Sequence, residues 1–533
     1  LLDRRQLIER AICDAQHVLL FYKGHLNGMA PIARLPPELL SEVFLHLVRR
    51  AFEEIAASYY VSSGGSRFYK WIAITHVCNA WRAVALNTPR LWGHIVLTRS
   101  PVFAEVFKRS KKAPLLVLAP VPSFARQTAA LLHTIMLEPS RLQDLRLLAP
   151  AHIVRATCQK LTGSLPLLEN LVLADHSFAI EGDTDEPYPP TSFAAPLPNL
   201  RSLEICRLVL SWSNPLLSSS ITELRVIGRF DMRRWLGSFD ELLHALEVMS
   251  HLQVLELVES IPTLPEDTTG LPEPQRSIAL PRLRRLALTG PTLDCAFLAN
   301  HLVISSYTRI FLRGHYLDQD QELLRFVQNH ATRSGQLLAV HLSRAFSRTF
   351  VMKGWLTPGL WPSDPLIEVQ VDAPNNNAAA SRLARHALFA SVRFLTIDVS
   401  HYQWIWRTVL GGFPEVRVFS VNGHPDRLLS ALSVARKPKN RQELPSPMAL
   451  PLLEVVQLSH VSISRPDPHG QRMFLDDLED WLILRCNHAA PIQDLRLTDC
   501  YGVTEENVAR LAQLVTSVSW DGAERFDGIE DED

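Results

Sequence analysis

A short phrase recurs along most of this 533-residue chain: an apolar residue, two of any kind, an apolar residue, one of any kind, and a third apolar residue. It reads Leu142-Gln-Asp-Leu-Arg-Leu147, Leu168-Glu-Asn-Leu-Val-Leu173, Leu200-Arg-Ser-Leu-Glu-Ile205, Ile221-Thr-Glu-Leu-Arg-Val226, Leu252-Gln-Val-Leu-Glu-Leu257 and Leu283-Arg-Arg-Leu-Ala-Leu288. Looser copies run Tyr307 to Leu312, Leu337 to Leu342, Leu366 to Val371, Val392 to Ile397, Val416 to Val421, Leu453 to Leu458 and Ile492 to Leu497, and Leu115-Leu-Val-Leu118 reads as a partial strand ahead of them. Most copies follow one another at 21 to 32 residues, the last two gaps being 37 and 39. Residues two apart share a face of a strand, so the phrase predicts a short strand with its apolar pair turned inward. Helical stretches lie between copies, at Phe124 to Leu137, Phe239 to Met249, Gln321 to His330 and Glu505 to Val515. One strand and one helix cannot bury that face alone, so neighbouring units must stack into a curved solenoid.

The same alternation predicts what looks outward. Asp144 and Arg146, Asn170, Ser202 and Glu204, Glu223 and Arg225, Glu256, Arg285, Gln457, Asp494 and Arg496 fall on the exposed side of their strands. Arg146, Glu204, Arg225, Glu256, Arg285 and Arg496 are the candidates for a concave partner-binding face. A slip of one residue would exchange inside and outside. Both signs of charge are present, which suits a protein partner better than nucleic acid.

The first hundred residues have a different period. Leu1, Ile8, Ile12, Ala15, Leu19, Tyr22 and Leu26 recur mostly at spacings of three and four, with Arg5 on the same seam: an amphipathic helix over 1–30, or a short coiled coil. Packing against the rest of the chain is the favoured fate of that seam, with self-association as the other. Gly24, Gly28 and Pro31 are expected to end the helix. Pro36 and Pro37 then set up a second helix whose first turn holds Glu38, and Leu39, Leu40, Val43, Phe44 and Leu47 give it one broad apolar face. A third helix is predicted over Phe68 to Leu86, followed by a turn and a strand-like run ending at Val96. The segment between the two, about 49–67, reads as an insert with a flexible Ser62–Ser66 stretch.

Taken together, Leu35-Pro-Pro-Glu-Leu-Leu-x-x-Val-Phe44, Val77-Cys-x-x-Trp-Arg82 and Thr88-Pro-x-Leu-Trp92 resemble the F-box-like domain common in large fungal (basidiomycete) families. The repeats likewise resemble degenerate leucine-rich repeats of the F-box-associated type, lacking most of the signature asparagines. The resemblance implies a fold of α+β/solenoid class: an all-α F-box-like module over 31–97, then a leucine-rich-repeat-like α/β solenoid over 98–518 and an acidic tail over 519–533. It also implies a non-catalytic substrate receptor, docking the adaptor subunit and cullin of an SCF-type ubiquitin ligase and presenting an unknown protein substrate. By the same resemblance Leu35, Pro36, Leu39, Leu40, Val43 and Phe44 would touch the adaptor, supported by Val77, Cys78 and Trp81. A protein-interaction scaffold without any ligase is the alternative that the same helices and repeats allow. Trp81 and Trp92 also read as packing residues.

Composition narrows the rest. A net charge of −1 supplies no global pull toward nucleic acid or anionic membrane, and no run approaches the length of a membrane span. Seven scattered cysteines without a CxxC pair suit reduced thiols in a cytoplasmic or nuclear protein. His76 with Cys78, and Cys486 with His488, are too few to make a metal site. No phosphate-cradling, hydrolase or zincin motif occurs, so no cofactor and no catalytic residue is expected. Lys108 to Lys112 is basic, and reads as a solvated helix end.

Overall fold

The computed structural model describes residues 2–57, 68–98, 102–120, 126–161, 165–176, 197–229, 236–265, 268, 270–271, 274–315, 320–345, 349–357, 364–372, 387–398, 409–423, 428–433, 449–464 and 473–525. The stretch Ser62–Ser66, the polar loops expected at Glu181–Thr191, Ala373–Ala380 and Lys437–Pro447, part of that at Thr263–Arg276, and the acidic end after Arg525 lie outside the described residues. The chain divides into two compact units, Leu1–Gly237 and Ser238–Asp533. Both mix helices with parallel strands.

The first unit opens with the helix Leu2–Met29, which runs through both glycines before it stops. Each glycine costs such a helix only about 1 kcal/mol, too little to end it. The expected packing of its seam against the rest of the chain is not found: Ile8, Ile12, Leu19, Tyr22 and Leu26 are all exposed. A short 3-10 turn at Pro31–Arg34 leads to the helix Pro37–Ala57, so the first part of the expected insert is helical. The next helix breaks in two, a 3-10 segment Tyr69–His76 and an α-helix Asn79–Leu86, followed by one turn at Pro89–Trp92. Six strands then pair in parallel, each beside its predecessor: β1 (His94–Val96), β2 (Leu115–Pro120), β3 (Leu142–Ala149), β4 (Asn170–Asp175), β5 (Ser202–Cys206) and β6 (Glu223–Ile227).

The register explains why the phrase recurs. Leu145, Leu171, Leu203 and Leu224 align across four strands, and Leu147, Leu173, Ile205 and Val226 align beside them. All eight are buried. Each such side chain contributes about 2 kcal/mol when removed from water, so a row stabilises its strands more than any one hydrogen bond. The first residue of the phrase closes a tight turn under the row: Leu168 N–H donates to Leu165 O, Leu200 to Leu197 and Ile221 to Ser218.

In the second unit the strands are β7 (Val254–Val258), β8 (Ile278–Leu280), β9 (Arg285–Pro291), β10 (Leu302–Ile304), β11 (Arg309–His315), β12 (Ala339–Ala345), β13 (Thr349–Trp355), β14 (Ile367–Asp372), β15 (Phe394–Asp398), β16 (Val418–Asn422), β17 (Val455–Ser459), β18 (Asp494–Thr498) and β19 (Ser517–Trp520). β8 and β10 form a separate parallel pair. The main sheet runs β7-β9-β11-β14-β13-β12-β15 and then in chain order to β19. Equal spacing predicts β12 beside β11. Instead β14 takes that place, and β13, outside the repeating phrase, lies antiparallel between β14 and β12. The copy at Tyr307 is also displaced: Tyr307 is 82% exposed, while Thr308 is buried and donates its hydroxyl to Leu283 O at 2.7 Å. The predicted tail is shorter as well, because Ser517–Trp520 pairs with β18 and extends the sheet.

The strand ends carry a repeat that the side chains hide. Arg207, Glu259, Gly423, His460 and Asp499 each follow a strand and each has a left-handed backbone, with φ between 49° and 89°. In four of them the freed N–H reaches the next strand: Arg207 to Ile227 O (2.6 Å), Glu259 to Thr289 O (2.9 Å), Gly423 to Ser459 O (2.8 Å) and His460 to Thr498 O (3.2 Å). The interstrand bond offsets the strain of positive φ in residues that are not glycine. Helices follow several strands. Ser238 and Glu241 exchange side-chain and backbone bonds in a capping box that starts Phe239–Val248, and Thr504 caps Glu505–Leu511.

Helix Phe474–Asn487 shows how a charge is used in this packing. Arg485 is fully buried and donates to Ala490 O at 2.9 Å, Leu453 O at 3.2 Å and Leu450 O at 3.4 Å. Burial pulls its pKa down to about 10, which leaves it charged at neutral pH. It ties the helix to the tight turn ahead of β17. Arg485→Met is therefore expected to lower stability by about 2–3 kcal/mol, read from the urea midpoint, because it leaves carbonyls unpaired. Arg485→Lys is expected to recover little of it, since an ammonium cannot fork between the carbonyls.

Candidate functional site

Helix Pro37–Ala57 has two apolar stripes one residue apart. Leu40, Phe44, Val48, Phe52 and Ala56, four residues apart each time, are buried. Leu39, Val43 and Leu47 have the same spacing and are 54%, 47% and 45% exposed. One residue is a rotation of about 100°, enough to turn one stripe to the core and the other to solvent.

The buried stripe organises the module. The Phe44 ring lies 5.0 Å from Trp81, and Phe52 lies 6.0 Å from Phe68 and 5.8 Å from His94. Trp71 meets Trp92 edge to face at 5.1 Å, and Trp92 Nε1 donates to Ala85 O at 2.9 Å. Tyr69 is buried with its hydroxyl donating to Val96 O, which fastens the module to β1. Burial pushes the Tyr69 hydroxyl well above its usual pKa and pulls His94 below its own, so both pack as neutral groups.

The break at Val77–Cys78 shapes the exposed side. Cys78 has extended backbone, and its Sγ accepts from Trp81 N at 3.5 Å as the cap of Asn79–Leu86. The turn leaves Val77 exposed beside the start of Pro37–Ala57. Leu35, Leu40, Val77, Cys78 and Trp81 line one wall of a groove, and Leu20, Gly24, Asn27 and Gly28 of the first helix line the other. The nine residues expected to touch an adaptor thus separate. Leu35, Pro36, Leu39, Val43 and Val77 are exposed; Cys78 and Trp81 are half-buried; Leu40 and Phe44 are buried in the module. Leu47, one turn beyond Val43, extends the exposed row, and its spacing of four was the signal for it.

The residues expected on the outward strand face do share one face. Arg146, Val172, Glu204 and Arg225 form one row in register, with Asp144, Asn170, Ser202 and Glu223 beside it. In the second unit Glu256 aligns with Ala287 and Phe311, Arg285 with Val254 and Arg309, and Gln457 with Arg496. Their availability is less than expected. Arg146 is held by Asp144 and Glu53, both at 3.0 Å, and stacks over Phe52 at 5.4 Å, so it joins the helical module to β3. Burial opposes its charge, but the two carboxylates outweigh that and hold its pKa above the ordinary value. Glu204 is buried, with Arg225 3.9 Å away and Glu223 3.4 Å from Arg225. Arg496 pairs with Asp494 at 2.7 Å, which in turn accepts from Ser517. Glu256 is half-buried; Arg285 and Arg496 are the members of the six that stand exposed. Opposite charges neutralise most of this face from within.

A polar cluster that the sequence did not single out gathers at the strand ends of the second unit. His315, at the end of β11, bonds to Glu259 through Nε2 and to Asp372 through Nδ1 at 3.2 Å. Asp372 also accepts from Thr349 Oγ1 at 2.7 Å and lies 3.6 Å from Arg313. The partners of His315 stand 56 and 57 residues away in sequence, and no local motif relates them. The cluster ties three strand ends together through ion pairs. Among the described residues no group of three or more His, Cys, Asp or Glu side chains could hold a metal ion, and no helix is long and apolar enough to cross a membrane.

The hydrogen bond that His315 donates to Glu259, and then Asp372, raise the His315 pKa above its ordinary 6.5. A group raised on folding stabilises the fold fully below its unfolded pKa and loses that contribution as pH climbs through the folded one. Unfolding of the second unit should therefore need less urea as pH rises from 6.5, until His315 is neutral. His315→Gln should flatten that slope, measured as urea midpoint against pH.

No protein-family model matches the chain, and a search of curated proteins returns no match.

Proposed function

We propose that this chain is an F-box-type substrate receptor. It would link a target protein to an SCF-type cullin ubiquitin ligase through the adaptor subunit, and take no part in the chemistry. The observation that carries this reading is the exposed apolar row Leu35, Leu39, Val43 and Leu47 with Val77 beside it. Large apolar side chains at helical spacing suit a helical partner laid against them. The residues that match the F-box-like pattern supply most of that row, while Leu40, Phe44 and Trp81 of the same pattern hold it in shape.

The rest of the molecule supports the receiving half of the role. We infer that the strand rows of the two units are stretches of one kind of repeat, a degenerate leucine-rich-repeat solenoid, whose outward strand faces would meet the substrate. With its charges largely paired internally, that face suits a protein surface of mixed polarity better than a polyanion.

Co-purification with the adaptor and cullin tests the reading. The wild-type chain is expected to retain both, and Leu39→Asp with Val43→Asp to lose at least tenfold in retention with an unchanged thermal midpoint, because both side chains are exposed. Phe44→Ala serves as the contrast: it should cost about 3–5 kcal/mol of module stability by opening the core. A folded wild-type chain that does not retain the adaptor overturns the ligase reading and leaves an interaction scaffold.

A further inference from the structure

Among the described residues the apolar seam of the first helix is left uncovered. Ile8, Ile12, Leu19, Tyr22, Leu26 and Met29 are between 52% and 75% exposed, far more apolar surface than a solvated helix needs. These positions keep a strict heptad. Counting Arg5 as the first core position a, the a sites are Arg5, Ile12, Leu19 and Leu26, and the d sites are Ile8, Ala15, Tyr22 and Met29. The groove beneath the helix is met by a different side, Leu20, Gly24, Asn27 and Gly28, so the a/d seam is not used there.

Flanking charges indicate what fits the seam. In a parallel pair the residue before each a site lies near the residue after the next d site of its partner. That brings Arg4 of one copy to Glu9 of the other, Ala11 to Gln16, and Val18 to Lys23. One pair is of opposite charge and none is of like charge. Arg5 at a core a site favours a pair over larger bundles, in which it would be surrounded; in the single chain it is satisfied by Glu9 at 2.9 Å. Both glycines fall outside the seam, and a Cβ at either would meet no atom within 4 Å.

We propose that Leu2–Met29 is a dimerisation helix, pairing in parallel with the same helix of a second copy of this chain. Its association is modest, because Arg5 and Ala15 weaken two of the eight core positions. The pairing brings two helical modules together at one end of a shared stalk. It stands independently of any ligase role.

The experiment is light scattering on the full chain over a concentration series. The mass should rise from one copy toward two. Ile12→Asp and Leu19→Asp should hold it at one copy throughout, while Leu7→Asp, exposed but off the seam, should leave the rise unchanged. Gly24→Ala with Gly28→Ala should strengthen association several-fold by favouring the helix. In a Cys13→Ser background, Ala15→Cys should give an oxidised cross-linked dimer, since two d sites face each other only in a parallel register. A wild-type chain that stays at one copy overturns the proposal. So does an equal loss with Leu7→Asp, which would mark mere apolar adhesion, or a dimer that Ala15→Cys cannot cross-link.

Discussion

Everything in the two sheets depends on inward apolar side chains of neighbouring strands lying in register. A strand of five residues with two buried side chains has no stability of its own; it holds because Leu145 stacks on Leu171, Leu171 on Leu203 and Leu203 on Leu224. The constraint is strict, since a shift of one residue would bring Asp144 or Glu204 to the middle of the stack. The turns serve this register. The bond closed under many of the phrases sets where a strand starts, and a left-handed residue after several strands sets where they end. That is why Arg207, Glu259 and His460, none of them glycine, accept the same unusual backbone.

Burial on both sides of the first unit has a cost that Arg146 resolves. Asp144 lies on the strand face opposite the leucine rows, yet it is almost without solvent, and burial raises its pKa. It is tolerated because Arg146 bonds to it, and Arg146 in turn is held by Glu53 and the Phe52 ring. A chain of partners thus runs from a strand to the helix that bears the exposed row. Truncating one member would leave another buried and charged, which is dearer than the bond itself.

What could be read from the residues follows the range of the interaction responsible. The leucine rows were legible because the phrase repeats locally and each copy reinforces the others. Which strand neighbours which was not, where β13 enters, since equal spacing says nothing of an antiparallel insertion. Tyr307 fits the phrase because the phrase tolerates any apolar group, whereas packing buries Thr308 instead. In the helical module the motif was legible as a pattern, but a broad apolar face does not say which half is buried. The structure divides it between Phe44 and Val43. The break at Cys78 was hidden because Phe68 to Leu86 keeps its apolar spacing through the turn. The His315 cluster had no local signal at all.

The inserted strand sets this sheet apart in time as well as in space. Elsewhere most strands need only wait for the next one along the chain, so order can spread from neighbour to neighbour as a zipper does. β11 is different: its outer neighbour is β14, and the segments of β12 and β13 lie between them in the chain, so a longer loop must close before Ile310 meets Ile367. Closing that longer loop costs entropy before any contact repays it. Until it closes, β11 lacks its outer parallel partner, and an open edge of that kind can pair with the wrong strand.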